Sequence, residues 1–278
     1  MLLRVLGDFR RAMDLSLVLD EEGVPHELRS AGGERWALVV DEADGARAEA
    51  ALAAFERENP QAPAAEPTPP PAAGAVACGL VFFLSLLALH VWTGPAAAGS
   101  DWFARGSADA ARILRGEWFR TVTALTLHAD AGHAAGNALL GGFLLAWLAR
   151  SLGPGVASAL LLLSGAAGTL AAAALVRRDF VSVGASTAVF GVLGALATQK
   201  QLRRRPWVPL GAGLALLAFL GTSKRADFAG HLCGFASGAI LGFAASLLPP
   251  LRSRAAQAAL ALAAAAAPAV AWIAAFRR

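Results

Sequence analysis

The chain has 278 residues, 56% of them apolar, and a mean hydropathy of +0.54, too apolar for an ordinary soluble domain and suggestive of several membrane spans. Residues 1–66 hold fourteen acidic and seven basic side chains, so an acidic head of net charge −7 precedes a body of net charge +11. The basic residues stand at the ends of apolar runs, where anionic lipid headgroups meet them, so the high pI is no sign of nucleic-acid binding.

Residues 1–60 read as a small soluble α+β domain. "DFRRAMDLSLVLDEEG" has helical apolar spacing and ends at Gly23. "VPHELRS" and "RWALVV" predict two strands about the turn "AGGE", and "DEADGARAEAALAAFEREN" predicts a closing helix. His26 stands alone and reads as a surface residue, and no catalytic constellation appears. The charged, amphipathic N-terminus does not read as a cleavable signal peptide. Residues 61–74 lie in "PQAPAAEPTPPPAAG", an extended Pro-rich linker, and the sequence names no partner for the N-terminal domain before it.

Seven apolar runs follow, near 75–93, 131–151, 155–176, 184–201, 207–223, 228–248 and 256–275. Most reach the roughly 20 helical residues that a ~30 Å hydrocarbon layer requires. Residues 75–250 thus form a six-span core, and 251–278 carry a seventh transmembrane helix. Trp92, Trp147, Trp207 and Trp272 near run ends read as an aromatic belt. The cluster "KQLRRR" after the fourth run should be cytoplasmic, which puts the N-terminal domain inside and the C-terminus outside. Arg150, Arg252 and Arg254 agree; Arg177, Arg178, Lys224, Arg225, Arg277 and Arg278 do not. The segment 94–130 mixes Trp, Phe and Ile with Arg and reads as amphipathic pieces at the interface. Cys78 and Cys233 fall within apolar runs and read as buried, unpaired residues.

Polar groups inside spans are costly and tend to be functional. His133 and Asn137 are four apart at the start of the second span, with His128 five residues earlier. "VSVGASTAVFG" opens the fourth span, with Phe190 one turn below Ser186. Alone, it fits a close-packed helix as well as a nucleophile. His231 opens the sixth span beside a stripe of Gly230, Gly234, Gly238 and Gly242, which admits a neighbouring backbone. With alternating span direction, His133, Asn137, Ser186 and His231 all fall near one membrane surface. A serine beside a histidine is the minimum for nucleophilic catalysis, and two donors at the same level suit an oxyanion. A metal site is disfavoured, because no i, i+4 His pair stands near a carboxylate, and no cofactor is implied.

These residues resemble the rhomboid family of intramembrane serine proteases, from about Trp102 to Leu248. The family's Gly-x-Ser appears as Gly184-Ala185-Ser186. Its H-x4-H-x3-N signature appears as His128, His133 and Asn137, its W-x-R element as Trp118-Phe119-Arg120, and its sixth-span histidine as His231. The resemblance implies a dyad of nucleophile Ser186 and base His231. It implies an oxyanion hole of His133, Asn137 and the Ser186 backbone N–H, and Phe190 against the His231 ring. Trp118 and Arg120 would anchor the first loop, and the substrates would be transmembrane proteins cleaved near their extracytoplasmic end. Two positions depart from the pattern: Thr187 where the family has Gly, and Gly230 where it has Ala.

Asp227, four residues before His231, is a candidate to orient its imidazole or to raise its pKa as a neighbouring carboxylate does. The plainer reading is a loop residue bonded to water, Lys224 or Arg225. Two other functions compete with proteolysis. An inactive rhomboid-like protein that binds membrane clients typically lacks the serine or the histidine, and both are present. A transporter predicts ionisable groups deep in several spans, and none lies below the outer third.

Overall fold

Asp8 starts the first helix by accepting the Arg10 N–H on its own carboxylate, and similar side-chain caps recur through the chain. The structure, a computed structural model, describes residues 1–33, 35–59, 74–176, 181–199, 211 and 227–278. It divides into two units, Met1–Pro69 and Pro70–Arg278.

The N-terminal unit runs β1 (Leu2–Leu6), α1 (Phe9–Glu21), β2 (His26–Ser30), β3 (Trp36–Val40) and α2 (Gly45–Glu58). The sheet is antiparallel in the order β1-β3-β2. Its core is Leu15 and Leu19 of α1, Leu38 and Val40 of β3, and Leu52 of α2, with Val24 from the turn. Strand β1 was not expected, because "LLRVL" lacks alternation and only Leu3 is buried. A bidentate Arg4–Glu49 pair, both bonds 2.7 Å, joins β1 to α2.

His26 is not the free surface residue that its isolation suggested. Its side chain is buried between α1 and β2, with Nε2 2.6 Å from Ser16 Oγ and Nδ1 3.0 Å from the Val24 carbonyl. The pair superficially resembles a hydrolase dyad. The carbonyl occupies the second ring nitrogen, and Asp20 stays 3.9 Å away and mostly exposed, so the contact serves to pin β2 to α1.

The second unit contains α3 (Ala75–Thr93), α4 (Asp101–Gly106), α5 (Ala110–Leu114), α6 (Arg120–Thr123), α7 (Ala131–Leu152), α8 (Pro154–Val176), α9 (Ser186–Ala197), α10 (Phe228–Ser246) and α11 (Arg254–Arg277). Helices α3, α7, α8, α10 and α11 are long and apolar enough to cross a bilayer, so this is an integral, multi-pass membrane protein. The expected fifth run at 207–223, with Trp207, lies outside the described residues. So do the linker at 60–73 and the basic residues Arg177, Arg178, Arg203–Arg205, Lys224 and Arg225. Residues 94–130 form the three short helices α4 to α6 rather than one loop. A two-residue strand there, Ala108–Asp109, pairs with Val181–Ser182 just before α9.

Helix α9 is central and short. Its 12 residues rise about 18 Å, and every side chain from Ser186 to Leu196 is buried. It begins at Ser186 rather than 184, because Gly184 takes φ +128°, outside the helical region. Glycines let its neighbours approach to backbone distance. A Cβ on Gly234 would overlap the Thr187 carbonyl oxygen, one on Gly238 the Gly191 carbonyl, and one on Gly242 would come within 2.6 Å of Ala195 Cα. The glycine stripe of α10 therefore lies flat on α9, as its four-residue repeat predicts.

Candidate active site

The packing of α10 on α9 brings His231 onto Ser186. His231 Nε2 lies 2.9 Å from Ser186 Oγ, and both residues are buried. The Phe190 ring stacks on the imidazole at 4.5 Å and 18°, one turn below the serine. His231 Nδ1 is buried with no hydrogen-bond partner among the described residues. If Nε2 accepts the serine proton, Nδ1 carries the ring hydrogen, and no carboxylate among the described residues receives it.

Asp130 caps α7 by accepting the His133 N–H at 2.8 Å. This fixes the turn so that Ala129 N–H points at His133 Nδ1, 3.4 Å away. A neutral ring accepting there holds its proton on Nε2. That edge faces Gly184, where an added Cβ would lie 2.8 Å from His133 Nε2 and 3.7 Å from Ser186 Oγ. Both the positive φ and the ring require glycine at this position. The first backbone bond of α9 runs from Val189 N–H to the Ala185 carbonyl, so the Ser186 N–H precedes the helical ladder. Ser186 is thus flanked by an imidazole N–H edge and a helix N-terminus, both suited to negative charge.

His128 supports this turn from behind. It is fully buried, and its Nε2 accepts the Ala185 N–H at 3.3 Å. Burial, reinforced by His133 and His90, pushes its pKa down to about 3, so it stays neutral and able to accept near pH 7. His90, which sequence reasoning passed over, stands edge-on to it at 6.4 Å.

The Rhomboid domain model matches residues 115–247, which span the serine, both histidines of the turn and the base. Residues 115–247 are a rhomboid domain. It is 32% identical over 152 residues to RHOMBOID-like protein 1 of Arabidopsis thaliana, covering 52% of this chain and 39% of that protein. It is 30% identical over 132 residues to RHOMBOID-like protein 7 of the same plant, covering 45% and 42%. It is 28% identical over 139 residues to Rhomboid protease GluP of Bacillus subtilis (strain 168), covering 48% and 27%. The matches therefore span less than half the length of these relatives.

Within the rhomboid domain the departures from the family pattern find local reasons. Thr187 is buried, and its methyl group lies over two glycines. A Cβ on Gly168 of α8 or Gly234 of α10 would sit 3.0 or 3.1 Å from it. The extra bulk fills the interface of three helices. We expect Thr187→Gly to lower stability by about 1–3 kcal/mol through lost packing and helix propensity, while cleavage per folded molecule stays within threefold. Thermal melting with activity assays in detergent checks this, and a tenfold gain in rate would show instead that Thr187 obstructs the serine.

Gly230 makes room for Asp227. The aspartate caps α10, its Oδ1 accepting the Gly230 N–H at 2.6 Å, and a Cβ on Gly230 would meet that carboxylate, 2.6 Å from its Cγ. The Asp227 carbonyl accepts the His231 backbone N–H at 3.0 Å, but among the described residues no hydrogen bond or ion pair joins the Asp227 carboxylate to the His231 imidazole. Lys224 and Arg225 lie outside the described residues.

Asn137 is buried one turn below His133 and donates Nδ2–H to its carbonyl at 3.0 Å, leaving a second N–H. Anchoring of the first loop falls to Arg120. It is 2% exposed and binds Ser107 O at 2.9 Å, Ala104 O at 3.2 Å and Glu117 at 2.7 Å. Trp118 is instead 71% exposed and does not serve as an internal anchor. Trp272 reverses the other way: it is buried against the first loop and is no belt residue. Cys78 and Cys233 are unpaired.

Proposed function

We propose that the protein is an intramembrane serine endopeptidase that cleaves transmembrane proteins by a Ser186–His231 dyad. The observation that carries this reading is the 2.9 Å approach of His231 Nε2 to Ser186 Oγ at the N-terminus of a buried helix. Ser186 Oγ attacks the scissile carbonyl carbon as His231 Nε2 takes its proton. Charge gathers on the former carbonyl oxygen, where the Ser186 N–H, His133 Nε2–H and the second N–H of Asn137 stabilise it. The C–N bond then breaks, and the imidazolium returns its proton to the leaving amine. Water attacks the acyl-serine ester and gives a proton to His231, and the imidazolium returns it to Ser186 Oγ as the ester C–O bond breaks and the acid is released. Phe190 keeps the imidazole in plane through both proton transfers.

The sequence similarity to a protein named as a rhomboid protease supports the same chemistry. The charge pattern supports a cytoplasmic N-terminal domain and a site towards the extracytoplasmic side, with cleavage near that end of the substrate's span. The client-binding alternative draws on Thr187, and the packing of its methyl group against Gly168 and Gly234 weakens it.

Covalent labelling tests the reading. A fluorophosphonate probe should label folded protein in detergent at Ser186, and labelling should vanish in Ser186→Ala. Absence of labelling in protein that melts cooperatively would favour client binding without catalysis.

A further inference from the structure

The rhomboid match ends at residue 247, yet the helix beyond it reaches the segments that carry the dyad. Along the last turns of α11, Val270, Ile273 and Phe276 are exposed, whereas Trp272 is 9% exposed. Its Nε1–H donates to Thr126 Oγ1 at 3.1 Å, and that hydroxyl donates onward to the Thr123 carbonyl at 2.7 Å. Its ring meets Trp102 edge-on at 4.7 Å and occupies the space before Gly106, where a Cβ would overlap it.

With Leu127 and Ala275, Trp272 forms a buried cluster bordered by Phe119 and Val183. Leu127 adjoins His128, and Val183 adjoins Gly184. His128 accepts the Ala185 N–H, and the Gly184 N–H donates to the Ala124 carbonyl at 2.9 Å. The indole is therefore bonded to the 124–128 segment and shares a buried cluster with Val183, which leads into Ser186. An indole N–H buried among apolar side chains is costly without an acceptor, so its bond to Thr126 fixes where the helix end can sit.

We propose that Trp272 is a positioning residue, through which the C-terminal helix holds the 124–128 and 183–186 segments in the geometry that catalysis needs. The inference rests on the protease reading above. The other end of α11 supplies a control. Gln257 Oε1 accepts the Gly155 and Val156 N–H groups at 2.7 and 3.1 Å, and its Nε2 donates to Leu152 and Leu251 carbonyls at 2.8 and 3.0 Å. It satisfies the start of α8, about 28 Å from His133 by the helical rise of α7. Both contacts hold the same helix, and only one lies near the site.

Full-length wild type, Trp272→Ala, Trp272→Phe and Gln257→Ala are compared in detergent for melting temperature, kcat and KM on a transmembrane substrate, below every melting transition. Gln257→Ala should melt lower and keep kcat within twofold. Trp272→Ala should lose at least tenfold in kcat with KM within threefold, and Trp272→Phe, which keeps an aromatic ring in the cluster but lacks the N–H donor, should recover only part of that loss. If Trp272→Ala does not fold, Trp272→Leu takes its place. The role is overturned if Trp272→Ala, or Trp272→Leu in its place, keeps wild-type kcat per folded molecule, or if Trp272→Phe loses no kcat at all. Ser186→Ala, run alongside, separates two failures. Cleavage surviving there sinks the protease reading, whereas cleavage lost there but unchanged at Trp272 sinks this inference alone.

Discussion

Ser186→Ala and His231→Ala should each lower turnover by roughly 10⁴–10⁶, and the double variant should be no slower than the worse single one. The non-additivity follows from the geometry. Ser186 Oγ is a weak nucleophile until a base takes its proton, and the described residues put only His231 within hydrogen-bond reach of it. Removing either partner removes the same step, so the second removal takes nothing further. What remains is the electrostatic environment of the pocket: the helix N-terminus and the His133 edge beside Gly184. Turnover by purified variants, with melting curves to show that each is folded, measures the effect. Losses that multiply would mean that the two side chains act in separate steps. Cleavage at wild-type rate by Ser186→Ala would end the assignment of the nucleophile.

The polar residues of the site were legible because the membrane makes them rare. His128, His133, Asn137, Ser186 and His231 stand out in spans that are otherwise apolar, and their motif spacing survives intact. The approach of α10 was legible too, since a glycine every fourth residue has one obvious use. What escaped depended on contacts between distant segments. Trp272 near a run end reads the same whether it faces lipid or a partner, and only Gly106 and Thr126, about 150 residues away, decide it. The direction of the Thr187 side chain depends likewise on Gly168 and Gly234. The start of α9 shifted from 184 to 186 because Gly184 is needed at positive φ, which composition does not reveal. His26 looked exposed because its partner Ser16 lies on another element.

Gly238→Ala should damage both stability and catalysis, although its residue is neither polar nor near the substrate. A Cβ there would overlap the Gly191 carbonyl group and come within 2.6 Å of its Cα. The obstacle is backbone inside a helix, which has no rotamer to escape into, so α10 must move away from α9. The strain belongs at or above the top of the ~1–3 kcal/mol range for overpacked cores. Gly238 is seven residues from His231, two turns along the same face, so the displacement reaches the dyad. A shift of about 1 Å in a 2.9 Å contact is enough to lower the rate roughly 10²-fold. Ile240→Ala, two residues on and 69% exposed on the outer face of α10, is the matched control and should leave both quantities near wild type. Melting temperature and kcat measured together decide the matter. If Gly238→Ala melts and turns over like wild type, the backbone contact of α10 on α9 is not what holds His231 against Ser186.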